Sequence, residues 1–118
     1  MTRITLDELD RAAALVYKVM APTPQYAWPK LRKRTGCNVW VKHENHTPTG
    51  AFKVRGGVVY MDRLLRSQPQ TAGVVSATRG NHGQSISFSA ARAGPAAAFA
   101  GPDSSPVTAA RTTQGKRT

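Results

Sequence analysis

The sequence is poor in cysteine and contains no long apolar run. Its single cysteine, Cys37, excludes an internal disulfide and a thiol cluster for structural zinc, so we expect no metal site. No stretch approaches the roughly 18 apolar residues of a membrane-spanning helix. The first residues also lack the apolar segment of a secretion signal, so we expect a cytoplasmic protein. A chain of 118 residues can form one domain or part of a larger one.

Acidic residues are scarce as well, with six Asp plus Glu against 17 Lys plus Arg and a formal net charge of +11. Such a charge by itself suggests a polyanionic partner. However, the basic residues are spread along the chain, and no aromatic residue interleaves with the main cluster, Lys30–Arg34. The sequence therefore disfavours a nucleic-acid partner. A non-catalytic basic fragment that binds polyanions through this cluster and the C-terminal tail is kept as the alternative function.

The hydrophobic pattern alternates between helices and short strands. Thr5 and Glu8 have the spacing of a capping box at the start of the first helix. The periodicity predicts helices at 5–20, 51–67 and 81–93 and strands at 39–42 and 73–76, the second of them buried on both faces. Strands separated by helices predict an α/β fold with a parallel sheet. Two strands are too few to complete such a sheet, so we expect only the N-terminal portion of this architecture.

The last part of the chain has a different composition. After Gly94, which we expect to close the third helix, the only large apolar side chains are Phe99 and Val107. We therefore expect residues 1–94 to form a partial domain and residues 95–118 to be weakly ordered, without a strand.

The loop after the first predicted strand places Lys53 in the first turn of a helix, next to Phe52 and behind the turn at Thr49 and Gly50. Free N–H groups at a helix start disfavour an ammonium ion. A neutral amine at this position is suited to imine formation with an aldehyde. The alternative is a lysine that only extends into solvent.

The loop after the second predicted strand, residues 76–84, has the composition of an anion site. Gly80 and Gly83 let the backbone approach a ligand, and a helix start offers free N–H groups. Side chains of Thr78, Asn81 and His82 add hydrogen-bond donors. The alternative is that Asn81 is a simple helix N-cap. Because ligands bind at the carboxyl ends of parallel strands, both loops are candidates for one site.

Together the two loops resemble a known family. Lys42-x-Glu44, the segment Thr47–Gly56 around Lys53, and the segment Gly80–Gln84 are similar to the motifs of fold type II pyridoxal-phosphate enzymes, within the threonine dehydratase and serine racemase group. The resemblance covers about residues 5–94. It implies an α/β fold, the cofactor pyridoxal 5′-phosphate, and a small amino acid as substrate, which a lyase converts to a 2-keto acid and ammonia. It also implies that full-length relatives form homo-oligomers.

The resemblance implies roles for single residues. Lys53 would form the Schiff base with the cofactor and act as a base on the substrate Cα, with Phe52 beside the cofactor and Asn81 bonded to its 3-oxygen. The substrate carboxylate would lie against the loop that contains Thr78, Arg79, Gly80, Asn81 and His82.

The sequence also departs from this family. Arg79 stands where racemase-like members have a serine, which favours either elimination over racemisation or an altered carboxylate site. The phosphate-binding loop of the longer relatives is absent, and the likeness fades after Gly94. We therefore expect a truncated copy of such an enzyme, with doubtful activity of its own.

Overall fold

The structure is a computed structural model that describes residues 3–78 and 80–100 of the chain. In this part of the chain, four α-helices accompany two separate two-stranded sheets. The helices are α1 (Leu6–Tyr17), α2 (Pro29–Thr35), α3 (Lys53–Ser67) and α4 (Asn81–Ala93). The strands are β1 (Gln25–Ala27), β2 (Trp40–Lys42), β3 (Gly73–Ala77) and β4 (Ala96–Ala100). None of the helices in the described ranges has the length and apolar character needed to cross a bilayer.

Helix α1 begins with the predicted capping box. The backbone N–H of Glu8 donates to the Thr5 hydroxyl at 3.2 Å, and the backbone N–H of Thr5 donates to the Glu8 carboxylate at 2.9 Å. The helix ends at Tyr17, three residues earlier than predicted. Val16 and Met20 are buried in one cluster with Val54 of α3. Helix α1 therefore covers one side of the helix that carries the candidate lysine.

The first sheet differs from the prediction. Strand β2 forms as expected, but it pairs antiparallel with β1, with Tyr26 opposite Val41, and the two form a separate sheet from β3. The short helix α2 reverses the chain between them, and Gly36, which caps its C-terminus, has the left-handed conformation (φ 73°). This chain reversal pairs β2 with β1, which leaves β2 outside the sheet that contains β3. The prediction of one parallel sheet containing 39–42 and 73–76 was therefore wrong.

The second sheet is parallel and corrects the expectation for the start of the tail. Strand β4 pairs with β3 from Gly73 opposite Ala96 to Ala77 opposite Ala100, although we predicted no strand after Gly94. Backbone hydrogen bonding suffices for this pairing, and Ala97 is small enough to lie buried against α4. Val75 of β3 is 76% exposed, so the prediction that this strand is buried on both faces was also wrong. Residues 101–118 lie outside the described ranges.

The core lies between α3, α4 and the second sheet. Met61 of α3 is buried with Ile86 and Ala90 of α4 and with Ala97 of β4. Helix α4 has the predicted bounds, and Gly94 closes it with a positive φ of 105°, as expected. Helix α3 also forms where predicted, beginning at Lys53 instead of residue 51. The packed unit of α3, α4, β3 and β4 therefore supports both loops that the sequence selects.

Candidate functional site

A closed turn presents Lys53 at the start of α3. The hydroxyl of the buried Thr47 accepts a hydrogen bond from the Ala51 N–H at 2.9 Å and donates to the Ala51 carbonyl at 2.8 Å. The backbone N–H of Gly50 donates to the Thr47 carbonyl at 2.9 Å. Gly50 has a φ of 66°, a conformation that favours glycine. This turn fixes the direction from which the chain enters α3, and with it the position of Lys53.

The second loop is built around Thr78. Its hydroxyl accepts hydrogen bonds from the N–H groups of Gly83 at 2.9 Å and Gly80 at 3.3 Å. The alternative that Asn81 caps the helix was wrong, because Gly80 is the N-cap residue and Asn81 is the first residue of α4. A Cβ atom on Gly83 would lie 2.6 Å from Cγ2 of Thr78, so only glycine fits there. The side chain of Asn81 is thus not used to cap the helix.

The two loops meet at one cavity of about 640 Å³. This volume lies within the range of about 300–1,000 Å³ that is typical of small-molecule sites. The cavity is lined by Lys53, Ala77, Thr78, Gly80, Asn81 and His82. Five of the predicted site residues are therefore brought together. Arg79 lies outside the described residues.

A second cavity of about 760 Å³ adjoins the first, since Lys53 and His82 line both. Its other lining residues include Phe52, Tyr60 and Ile86. Phe52 is 62% exposed and lines only this second cavity. The candidate site thus has a polar part at the start of α4 and an apolar part between α3 and β3.

An ion pair stands two residues beyond Lys53. The Arg55 guanidinium donates to the Glu44 carboxylate through Nε at 2.7 Å and through a terminal nitrogen at 3.0 Å. The Thr23 hydroxyl donates to the same carboxylate at 2.6 Å. The Arg55 hydrogen bonds, helped by that from Thr23, lower the pKa of Glu44 from 4.5 to about 2. The pair ties the segment after β2 to the first turn of α3.

Sequence reasoning missed two of these features. It did not predict that the Thr78 hydroxyl holds the start of α4, for which a Thr five residues before a Gly is a weak signal. The ligand-binding role of Thr78 stays a prediction. Sequence reasoning also did not single out Ser85 of α4, which is fully buried and donates to the Lys53 carbonyl at 2.7 Å. In the described ranges, no three potential metal ligands come together.

Comparison with known proteins supports an enzyme. The family described as pyridoxal-phosphate dependent enzyme matches residues 16–115. Threonine dehydratase 1 of Solanum lycopersicum, biosynthetic and chloroplastic, is 42% identical over 79 residues, which are 67% of this chain and 13% of that protein. The biosynthetic L-threonine dehydratase of Haemophilus influenzae is 32% identical over 101 residues, or 86% of this chain and 20% of that protein. These matches do not support the alternative of a polyanion-binding fragment.

Solved structures agree with these matches. A pyridoxal 5′-phosphate-dependent aspartate racemase has a TM-score of 0.81 and 29% identity, covering 90% of this chain and 33% of its own. Maize serine racemase has a TM-score of 0.74 and 27% identity, covering 82% of this chain and 30% of its own. The described part therefore has the α/β fold of these enzymes, as predicted.

The present chain spans only 13% and 20% of the length of the two dehydratases. The family match nevertheless covers most of the chain and extends beyond Gly94. The chain belongs to the family of pyridoxal-phosphate dependent enzymes.

Proposed function

We propose that the cavity between Lys53 and the start of α4 binds pyridoxal 5′-phosphate and an amino acid substrate. The observation that carries this proposal is that a primary amine and a helix N-terminus line one cavity of about 640 Å³. The donor set fits the group, since an amine is the partner that an aldehyde requires. Free N–H groups at the start of a helix suit an anionic oxygen.

Each lining residue has a chemical task in this proposal. The amine of Lys53 is the attachment point of the cofactor and takes the proton from the substrate Cα. The Asn81 amide holds the ring oxygen, while the first N–H groups of α4 hold the substrate carboxylate. The bound cofactor supplies an electron sink that makes the Cα proton acidic. Loss of this proton and of a β-hydroxyl group, together one water, leaves an enamine, and hydrolysis of its imine tautomer by water gives a 2-keto acid and ammonia.

The comparisons favour this elimination over racemisation. The two curated relatives described above are threonine dehydratases, although two of the similar solved structures are racemases. Arg79 also departs from the serine that the resemblance assigns to racemase-like members. We therefore propose a dehydratase of hydroxy amino acids as the activity of the whole protein. The cytoplasmic location and a homo-oligomeric state of longer relatives stay predictions.

Borohydride reduction tests the cofactor site. The full chain is mixed with substoichiometric pyridoxal phosphate, reduced and digested, and the pyridoxyl adduct on each lysine is quantified by mass spectrometry. We expect the adduct mainly on Lys53. The Lys53→Arg variant should lose it, whereas Lys33→Arg on α2 should retain it. Equal labelling of all lysines would contradict the proposed site.

The reaction type is tested separately with L-threonine and L-serine. A dehydratase releases a 2-keto acid, which is measured after derivatisation with a hydrazine. Formation of the D-amino acid without a 2-keto acid would instead favour a racemase. Lys53→Arg is the control in both cases, because it removes the proposed base and keeps the charge.

A further inference from the structure

A buried hydroxyl connects the two loops of the candidate site. Ser85 lies in the second turn of α4, is fully buried, and donates a hydrogen bond of 2.7 Å to the backbone carbonyl of Lys53. A serine inside a helix commonly bonds to a carbonyl of its own preceding turn. Here the hydroxyl reaches across to α3 instead. The acceptor belongs to the residue that carries the candidate amine.

Close packing of the two helices makes this contact possible. A Cβ atom built on Gly57 would lie 2.3 Å from the Ser85 hydroxyl oxygen and 2.8 Å from that of Ser89. Helix α4 therefore packs two serines against Gly57 of α3. The Lys53 carbonyl also belongs to the first turn of α3, where the N–H of the residue four positions later, Gly57, is the intrahelical donor. The Ser85 hydroxyl thus adds a second donor to the first turn of α3.

We propose that Ser85 is a positioning residue that fixes the distance between the Lys53 amine and the start of α4. The residues Asn81 and His82 lie one turn before Ser85 on the same helix and line the cavity together with Lys53. A single hydrogen bond therefore links both sides of that cavity. This proposal rests on the proposed function for its chemical consequence, but the linkage itself can be measured without any cofactor.

Ser89 provides a matched control on the same face of α4. It is 2% exposed and faces the same glycine, but its hydroxyl has no hydrogen-bond partner among the described residues. Ser85→Ala and Ser89→Ala each remove one buried hydroxyl from the same helix interface. Only the first removes a contact with Lys53. A difference between the two variants therefore isolates positioning from packing.

The experiment has two readouts on the full chain. Hydrogen–deuterium exchange of the peptide that covers residues 51–57 reports the first turn of α3 without cofactor. The ratio of reduced pyridoxyl adduct on Lys53 to that on Lys33 reports the position of the amine, with Lys33 as an internal reference. We expect Ser85→Ala to speed exchange in this peptide and to lower the labelling ratio about three- to tenfold, which corresponds to the loss of one buried hydrogen bond. Ser89→Ala should change neither, and Ser85→Cys, which keeps a weak donor, should restore part of both.

The outcomes separate the two proposals. Equal exchange in Ser85→Ala and Ser89→Ala would overturn the positioning role, whatever the labelling shows. If the wild-type chain carries about as much pyridoxyl adduct on Lys33 as on Lys53, the proposed cofactor site is contradicted. The exchange data would still decide the role of Ser85. If Ser85→Ala does not fold by circular dichroism, Ser85→Cys decides, and the absence of any difference from wild type would overturn the proposal.

Discussion

The two sheets of the molecule differ in how they are held. The second sheet packs on α3 and α4, and the buried residues Met61, Ile86, Ala90 and Ala97 lie together there. The region from β1 to β2, including α2, has no buried residue, and Trp40 is 63% exposed. Hydrophobic burial therefore stabilises the region of the second sheet with α3 and α4, but it contributes little within the region from β1 to β2. The candidate site stands on the packed region, and polar contacts attach the other region to it.

A large-to-small change in each region gives the largest expected contrast. Met61→Ala removes a side chain that is 1% exposed and should lower the free energy of unfolding by about 3 kcal/mol. Trp40→Ala removes a larger side chain from the β1–β2 region, yet it should lower the same free energy by less than about 1 kcal/mol. Urea unfolding followed by circular dichroism measures both. Similar losses in the two variants would show that the contrast between the regions is wrong.

Two adjacent glycines sharpen the comparison within α3. Gly57→Ala places a Cβ 2.3 Å from the Ser85 hydroxyl oxygen and 2.9 Å from the Ser85 carbonyl, so the helices must separate. We expect it to destabilise the fold by about 2 kcal/mol. At Gly56 an added Cβ meets nothing within 4 Å, so Gly56→Ala should stabilise the helix by about 0.5–1 kcal/mol. The midpoint temperatures of thermal unfolding should therefore shift in opposite directions in the two variants. A shift in the same direction would contradict the close packing of α3 and α4.

Local sequence signals predicted three of the four helices of the described residues, α1, α3 and α4, but not the short helix α2. The capping box at Thr5 and Glu8 and the closing Gly94 depend on residues near in sequence, and both occur as predicted. The convergence of Lys53 and Asn81 on one cavity was predicted from the placement of ligands at the ends of parallel strands. That rule applies to the loop after β3 but not to the loop after β2, which belongs to a separate antiparallel sheet.

Pairing between distant segments was harder to predict. The antiparallel partner of β2 is the three-residue strand β1, which has no alternating pattern of burial. Strand β4 consists mainly of alanine, a residue with low strand propensity, and it forms because β3 offers an edge for pairing. The Ser85 contact with Lys53 joins residues 32 positions apart, and no local pattern reports such a contact.

A further expected effect concerns the ion pair that attaches the less packed region to α3. Because Arg55 and Thr23 lower the pKa of Glu44 to about 2, its contribution to stability is full above pH 4.5 and is lost as the pH falls toward 2. The side chains of Arg55 and Glu44 are 25% and 23% exposed, so solvent screens part of the interaction. Glu44→Gln should therefore cost about 1–2 kcal/mol at pH 7, less than the full pKa shift would give.

The pH dependence separates this pair from an ordinary surface pair. The stability difference between wild type and Glu44→Gln should shrink between pH 5 and about pH 2, as measured by urea unfolding at each pH. Asp62→Asn is the control, because Asp62 pairs with Arg66 on the surface of α3 and its loss should cost less than about 0.5 kcal/mol. Fluorescence of Trp28 and Trp40 follows the β1–β2 region in the same samples. If Glu44→Gln and Asp62→Asn cost the same at pH 7, the attachment of this region to α3 does not depend on the Glu44–Arg55 pair.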